Sequence, residues 1–76
     1  MTPIQLKMAR AASKLGVRDL AARAGVTANT VTRIENGADA KQSTLDALQR
    51  VLEEWVIFLS EGETTSGGPG VRLRKD

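Results

Sequence analysis

A chain of 76 residues, 41% hydrophobic and 26% charged, has the composition of one small globular domain whose modest core depends on efficient packing or on a partner. It contains no cysteine and no histidine, which excludes disulfide staples, thiolate or imidazole metal sites and Cys/His nucleophile chemistry. The net charge is only +2, but up to Gly37 the basic residues Lys7, Arg10, Lys14, Arg18, Arg23 and Arg33 are set against Asp19 and Glu35 alone, whereas acidic residues outnumber basic ones beyond that point. That asymmetry is equally compatible with a face that meets a polyanion and with an unevenly charged solvated surface. No apolar run reaches the length of a membrane span and no apolar signal segment opens the chain. The expectation is therefore a cytoplasmic protein with no cofactor, no metal site and no catalytic residues, and not an enzyme.

Thr2-Pro3-Ile4-Gln5 reads as a helix start, with Thr2 as cap, Pro3 in the first helical position and Gln5 returning the hydrogen bond of a capping box. Leu6, Ala9 and Ser13 form its apolar stripe, and Gly16 either ends this helix or weakly caps the next. Val17 to Ala24 favours a short second helix with Leu20, Ala21 and Ala24 on one side. Gly25 then offers a left-handed break. Thr27 caps a third helix with Val31 and Ile34 on its buried side, and Asn36-Gly37 stops it. After a loop from Ala38 to Gln42, Ser43 is expected to cap a fourth helix, with Asp46 as its box partner. Leu45, Leu48, Val51, Leu52 and Trp55 mark that helix as amphipathic. Trp55 could be imagined as a stacking platform, but its position in the stripe favours the core. Two short strands follow, Val56 to Leu59 and Val71 to Arg74, on either side of a loop-like stretch of serine, threonine and glycine.

Only Gly25, Val26 and the cap Thr27 separate the second and third helices. Two short helices across such a turn make a helix-turn-helix arrangement. Ala21 is small enough for close approach, Gly25 permits the turn, Val26 plugs the gap, and Val31 and Ile34 anchor the third helix from behind. The segment LAARAGVTANTVTRIENG, from Leu20 to Gly37, resembles the Cro/lambda-repressor type of helix-turn-helix, the XRE family, and the resemblance extends over about residues 4 to 55. It implies a mainly α, compact four-helix Cro/lambda-repressor-like DNA-binding domain over residues 1–55. Its recognition helix, about residues 28–36, would lie in the DNA major groove, and a short C-terminal β-hairpin or β-segment would occupy 56–76.

On the third helix, Ala28, Asn29, Thr32, Arg33 and Asn36 point away from the apolar side. Family geometry sets this face against base edges. Arg33 suits a bidentate pair with guanine and Asn29 one with adenine, while Thr32 and Ala28 can offer methyl groups to thymine. Phosphate contacts are expected from Arg10, Val17, Arg18, Thr27, Asn36, Lys41 and Thr44, in part through backbone N–H groups at helix starts. The chain departs from the family where a glutamine preceded by serine often clamps the DNA backbone; here Val17 follows Gly16. In similar proteins an arginine of the first helix pairs with the acidic residue that closes the third, so Arg10 is read mainly as a brace for Glu35.

A single helix-turn-helix makes few base contacts, and the usual solution is a dimer with recognition helices one DNA turn apart, about 34–36 Å. Val56, Ile57, Phe58, Leu59, Val71 and Leu73 are the expected dimerisation residues, since an isolated hairpin is marginal and an exposed apolar edge invites pairing. Some short XRE-like proteins have a similar VxFI…GGPGVRLR ending. The alternatives are a hairpin folded back on the fourth helix, with dimerisation through that helix, or an unstructured tail in which Arg72, Arg74 and Lys75 help bind DNA. The leading functional expectation is a sequence-specific transcriptional regulator that binds a palindromic operator on double-stranded DNA as a homodimer. An antitoxin-type autorepressor with a toxin partner, or a protein-binding antiactivator on the same scaffold, is the alternative.

Overall fold

The computed structural model describes residues 1–59 and 70–74. It contains four helices, α1 (Pro3–Ala12), α2 (Val17–Ala24), α3 (Ala28–Glu35) and α4 (Gln42–Leu52), followed by an antiparallel pair of strands, β1 (Val56–Leu59) and β2 (Gly70–Leu73). Of the loop expected across residues 60–70, Gly70 instead begins β2, and residues 60–69, like Lys75 as a DNA contact, lie outside the described residues.

Local chemistry sets the helix boundaries. At the start of α1, Thr2 Oγ1 accepts from the Gln5 backbone N–H at 3.1 Å, and the Thr2 N–H donates to Gln5 Oε1 at 2.9 Å, so the expected capping box is present. Gly25 closes α2 at φ 75° and Gly37 follows α3 at φ 96°, both in the left-handed region where a Cβ is unfavourable. In each case the next residue reaches back five positions: Val26 N–H to Ala21 O at 3.0 Å and Ala38 N–H to Arg33 O at 2.9 Å. These are the closing bonds of Schellman motifs, which satisfy orphan helix carbonyls.

The same motif ends α1, in a place the composition of the turn did not mark. Leu15 N–H donates to Arg10 O and Lys14 N–H to Ala11 O, both at 3.1 Å, with Lys14 at φ 58°. The left-handed residue is therefore Lys14, while Gly16 sits in extended backbone as the N-cap of α2. The strain at Lys14 persists because the turn delivers Leu15 into the core, where it is 8% exposed.

The start of α4 also differs from expectation. The chain enters the helix at Lys41, whose backbone is extended and whose side chain makes no cap. Ser43 is thus already helical, and Asp46 is engaged by the side chain of Gln42, which donates from Nε2 to Oδ1 at 2.8 Å. The extended-to-helical step occurs before the best capping residue, so the Ser43–Asp46 box does not form.

Among the described residues ten buried side chains form the core, from Leu6 and Ala9 on α1, through Leu15, Leu20, Ala21, Val31 and Ile34, to Leu48, Leu52 and Val56. Leu45, Val51 and Trp55 pack at its edge. Trp55 lies just beyond α4, and the Arg23 guanidinium sits 5.5 Å from its ring centroid, a cation–π contact that occupies a ring face.

The strands pair within one chain, Val56 opposite Leu73 and Leu59 opposite Gly70. Of the arrangements expected for this segment, the hairpin does fold back, but onto α1 rather than α4. Gln5 fixes it there: Nε2 donates to Leu59 O at 2.8 Å and to Gly70 O at 3.0 Å. One buried amide therefore caps α1 and ties down both strands. Val56 is fully buried in its own chain's core, so its side chain is not available as a dimerisation contact.

Replacing Lys14 by glycine is expected to raise stability by up to about 1 kcal/mol, because it removes the left-handed penalty of a side chain without removing a packed group. An unchanged or lower urea midpoint would show that the turn is not strained.

Candidate nucleic-acid interface

The back of α3 is held by packing and by one ion pair. Val31 is fully buried and Ile34 is 5% exposed. At the helix end, Glu35 turns inward: its side chain is 7% exposed, against 24% for its partner Arg10. Arg10 Nε donates to Glu35 Oε2 at 2.6 Å and Nη2 donates to Oε1 at 3.1 Å. This two-point geometry fixes both the distance and the plane of the pair. Nη1 of the same guanidinium donates to Leu15 O at 3.3 Å, which ties the pair to the strained end of α1. Donation of hydrogen bonds to Glu35 raises the Arg10 pKa above its already alkaline value, against the opposing effect of burial and with help from the carboxylate charge. A raised base pKa stabilises the fold at all pH values below the unfolded value and is lost only as pH climbs through the folded one, so the Arg10 contribution is constant across ordinary buffers.

With its back engaged, α3 shows solvent a face bearing Asn29, Thr32 and Arg33, all exposed, with Ala28 half-buried beside them and Asn36 exposed at the end. Arg33 makes no ion pair among the described residues. Thr27 caps the helix by accepting from Thr30 N–H at 3.2 Å, and its hydroxyl lies 2.9 Å from that of Thr30.

Next to this face, Thr30, Arg33, Asp39, Lys41 and Thr44 line a groove of about 300 Å³ between α3 and the start of α4. It brings together three of the residues singled out from sequence, Arg33, Lys41 and Thr44. It also adds two that were missed. Thr30 was legible as the position one turn after the Thr27 cap and one turn before Arg33. Asp39 places a negative charge at the rim, which limits how closely an anion can approach there.

The N-terminal end of α2 is different. Gly16 offers no side-chain cap, and the backbone N–H groups of Val17, Arg18 and Asp19 have no partner among the described residues. The Val17 side chain packs against the core, so only its backbone could meet a phosphate. Arg18 is exposed. Arg23 is not a free cation: besides covering Trp55, it lies 3.6 Å from Asp19 in an exposed i,i+4 pair, of a kind that contributes little to stability.

Residues 4–53 match the helix-turn-helix domain family, a span that includes all four helices except the first residue of α1. The chain belongs to the helix-turn-helix domain family. No curated protein matches it. In helix-turn-helix terms, α2 and α3 are the paired helices and Gly25 to Thr27 the turn, and membership supports a DNA-binding regulatory role. Among the described residues no group of acidic side chains could hold a metal ion, and no helix is long and apolar enough to cross a membrane.

Arg10→Ala leaves Glu35 buried without its partner and is expected to cost about 3 kcal/mol of stability, read as a lower urea midpoint. A loss below about 0.5 kcal/mol would class the pair with screened surface bridges. Glu35→Gln, which keeps an acceptor for Arg10, should cost distinctly less than Arg10→Ala.

Proposed function

We propose that the protein is a sequence-specific transcriptional regulator of the Cro/lambda-repressor type that binds a palindromic operator as a homodimer. The observation behind this reading is the bare polar face of α3, exposed at Asn29, Thr32 and Arg33, on a helix whose opposite side is locked by Val31, Ile34 and the Arg10–Glu35 pair.

In this reading Arg33 and Asn29 read base edges through paired hydrogen bonds, and the methyl groups of Thr32 and Ala28 contact thymine. Arg18, Lys41, Thr44 and Asn36, together with backbone N–H groups at Val17 and the Thr27 hydroxyl, set the register on phosphates, which position without specifying sequence. Arg10 acts mainly through Glu35, as its guanidinium nitrogens are already engaged. The hairpin residues Ile57, Phe58, Leu59, Val71 and Leu73 supply the dimer surface. A second copy doubles the thin set of base readers on each α3 and makes the spacing of the two half-sites part of the code.

Arg33→Ala should lower the preference for operator over random duplex by about 1–3 kcal/mol while leaving the helical content intact. An unchanged preference would remove Arg33 from the reading face. Lys41→Ala should weaken binding to all duplexes alike and make the affinity less steep in salt. A complex insensitive to salt would favour a protein partner over DNA.

A further inference from the structure

The two outer edges of the hairpin differ in chemistry. Arg74 N–H donates to Trp55 O at 2.9 Å, which makes 55/74 a hydrogen-bonded pair in the observed register. Because such pairs alternate with non-hydrogen-bonded ones in an antiparallel ladder, 57/72 and 59/70 are bonded across the hairpin. The backbone groups of Val56 and Phe58 on β1, and of Val71 and Leu73 on β2, therefore point outward. None of them has a partner beyond the hairpin among the described residues. β1 reads Val-Ile-Phe-Leu, with no charge and no proline, and so lacks the usual protections of an edge strand. β2 carries Arg72, and α1 packs more extensively against β2 than against β1.

We infer that the partner for this surface is the β1 edge of a second copy, paired antiparallel about a two-fold axis that passes at Ile57. This rests on the homodimer reading above and specifies its edge and register. Outward groups can bond only to outward groups, so an axis at Ile57 sets Val56 opposite Phe58 of the second copy and satisfies every outward N–H and C=O of both residues. An axis at Phe58 would leave Val56 without a partner inside the strand. Ile57 then faces its own copy as a non-hydrogen-bonded pair, with Cα atoms about 4.5 Å apart. Ile57 lies on the face of the hairpin away from the core, beside Arg72, and the joined sheet runs β2–β1–β1–β2 with the two Arg72 side chains on outer strands. The equivalent union through β2 has its axis at Arg72 and sets two guanidinium groups directly opposite each other, an arrangement that destabilises a sheet. Charge thus selects β1 over β2.

The natural chain has no cysteine, so single-cysteine variants of the full chain report the register without background and without DNA. Ile57→Cys brings two thiols to a separation within the range of a disulfide and should form a cross-linked dimer on oxidation with copper-phenanthroline, while Arg72→Cys should stay monomeric on denaturing gels. Ile57→Lys should sediment as a monomer, with parental circular dichroism, at concentrations where the parent is a dimer. Cross-linking of Arg72→Cys in preference to Ile57→Cys, or a dimer that survives Ile57→Lys, would overturn the β1 edge and leave the homodimer reading intact. A parent chain that sediments as a monomer both alone and on operator DNA would overturn both.

Discussion

A carboxylate almost wholly out of water at the end of α3 needs a cation beside it, and Arg10 of α1 is the one that provides it among the described residues. That requirement couples helices 25 residues apart in sequence and decides the angle at which α3 meets the rest of the domain. Val31 and Ile34 supply attraction to the core, but apolar contacts tolerate sliding and rotation, whereas a two-point guanidinium–carboxylate pair does not. The pair also fixes which face of α3 remains free. With Val31, Ile34 and Glu35 all inward, helical periodicity turns Asn29 and Arg33 outward and leaves Thr32 exposed at the margin of that face.

The domain is small, and its other polar contacts follow the same economy. Gln5 caps its own helix and holds both strands of a hairpin 54 and 65 residues away. Without that amide the hairpin would be a marginal two-stranded unit; with it, Val56 becomes part of the core and Phe58 and Val71 pack at its edge. The hairpin is thereby held against α1, and its β1 edge, unpaired beyond the hairpin among the described residues, has a defined direction relative to α3. In the proposed dimer, this is how the spacing of two recognition helices would be set by a strand remote from them in sequence.

Much of this was legible in the residues. The capping box at Thr2 and Gln5, the left-handed glycines at 25 and 37, the Thr27 cap and the apolar spacing of α2 and α3 are local signals, and local signals fix helix ends. What was not legible depended on distance or on competition. Lys14 adopts a left-handed backbone because the burial of Leu15 outweighs a penalty of about 1 kcal/mol, and nothing in the local composition announces that balance. Ser43 is a better cap than Lys41 by residue type, yet the chain turns helical before it. The second role of Gln5 needs the hairpin in place. For the interface, the periodicity of α3 was enough to separate Arg33 and Asn29 from Val31 and Ile34. The Arg10–Glu35 pair came from family resemblance; Thr30 carried a local signal in its spacing from Thr27 and Arg33, whereas Asp39 joins the groove only because the loop before α4 folds beside α3. At Val17 and Val56 the expected contacts fall on residues whose side chains pack in or against the core, which leaves only their backbone groups for that role.

In the proposed dimer two copies of α3 read one inverted repeat. Selection of bound sites from a random pool of DNA duplexes tests it most directly, since the enriched sequences report the half-site and the spacing together. The expected result is an inverted repeat with half-site centres one helical turn apart, about 34–36 Å. Enrichment of a single unrepeated half-site, or no enrichment at all at low salt, would contradict it.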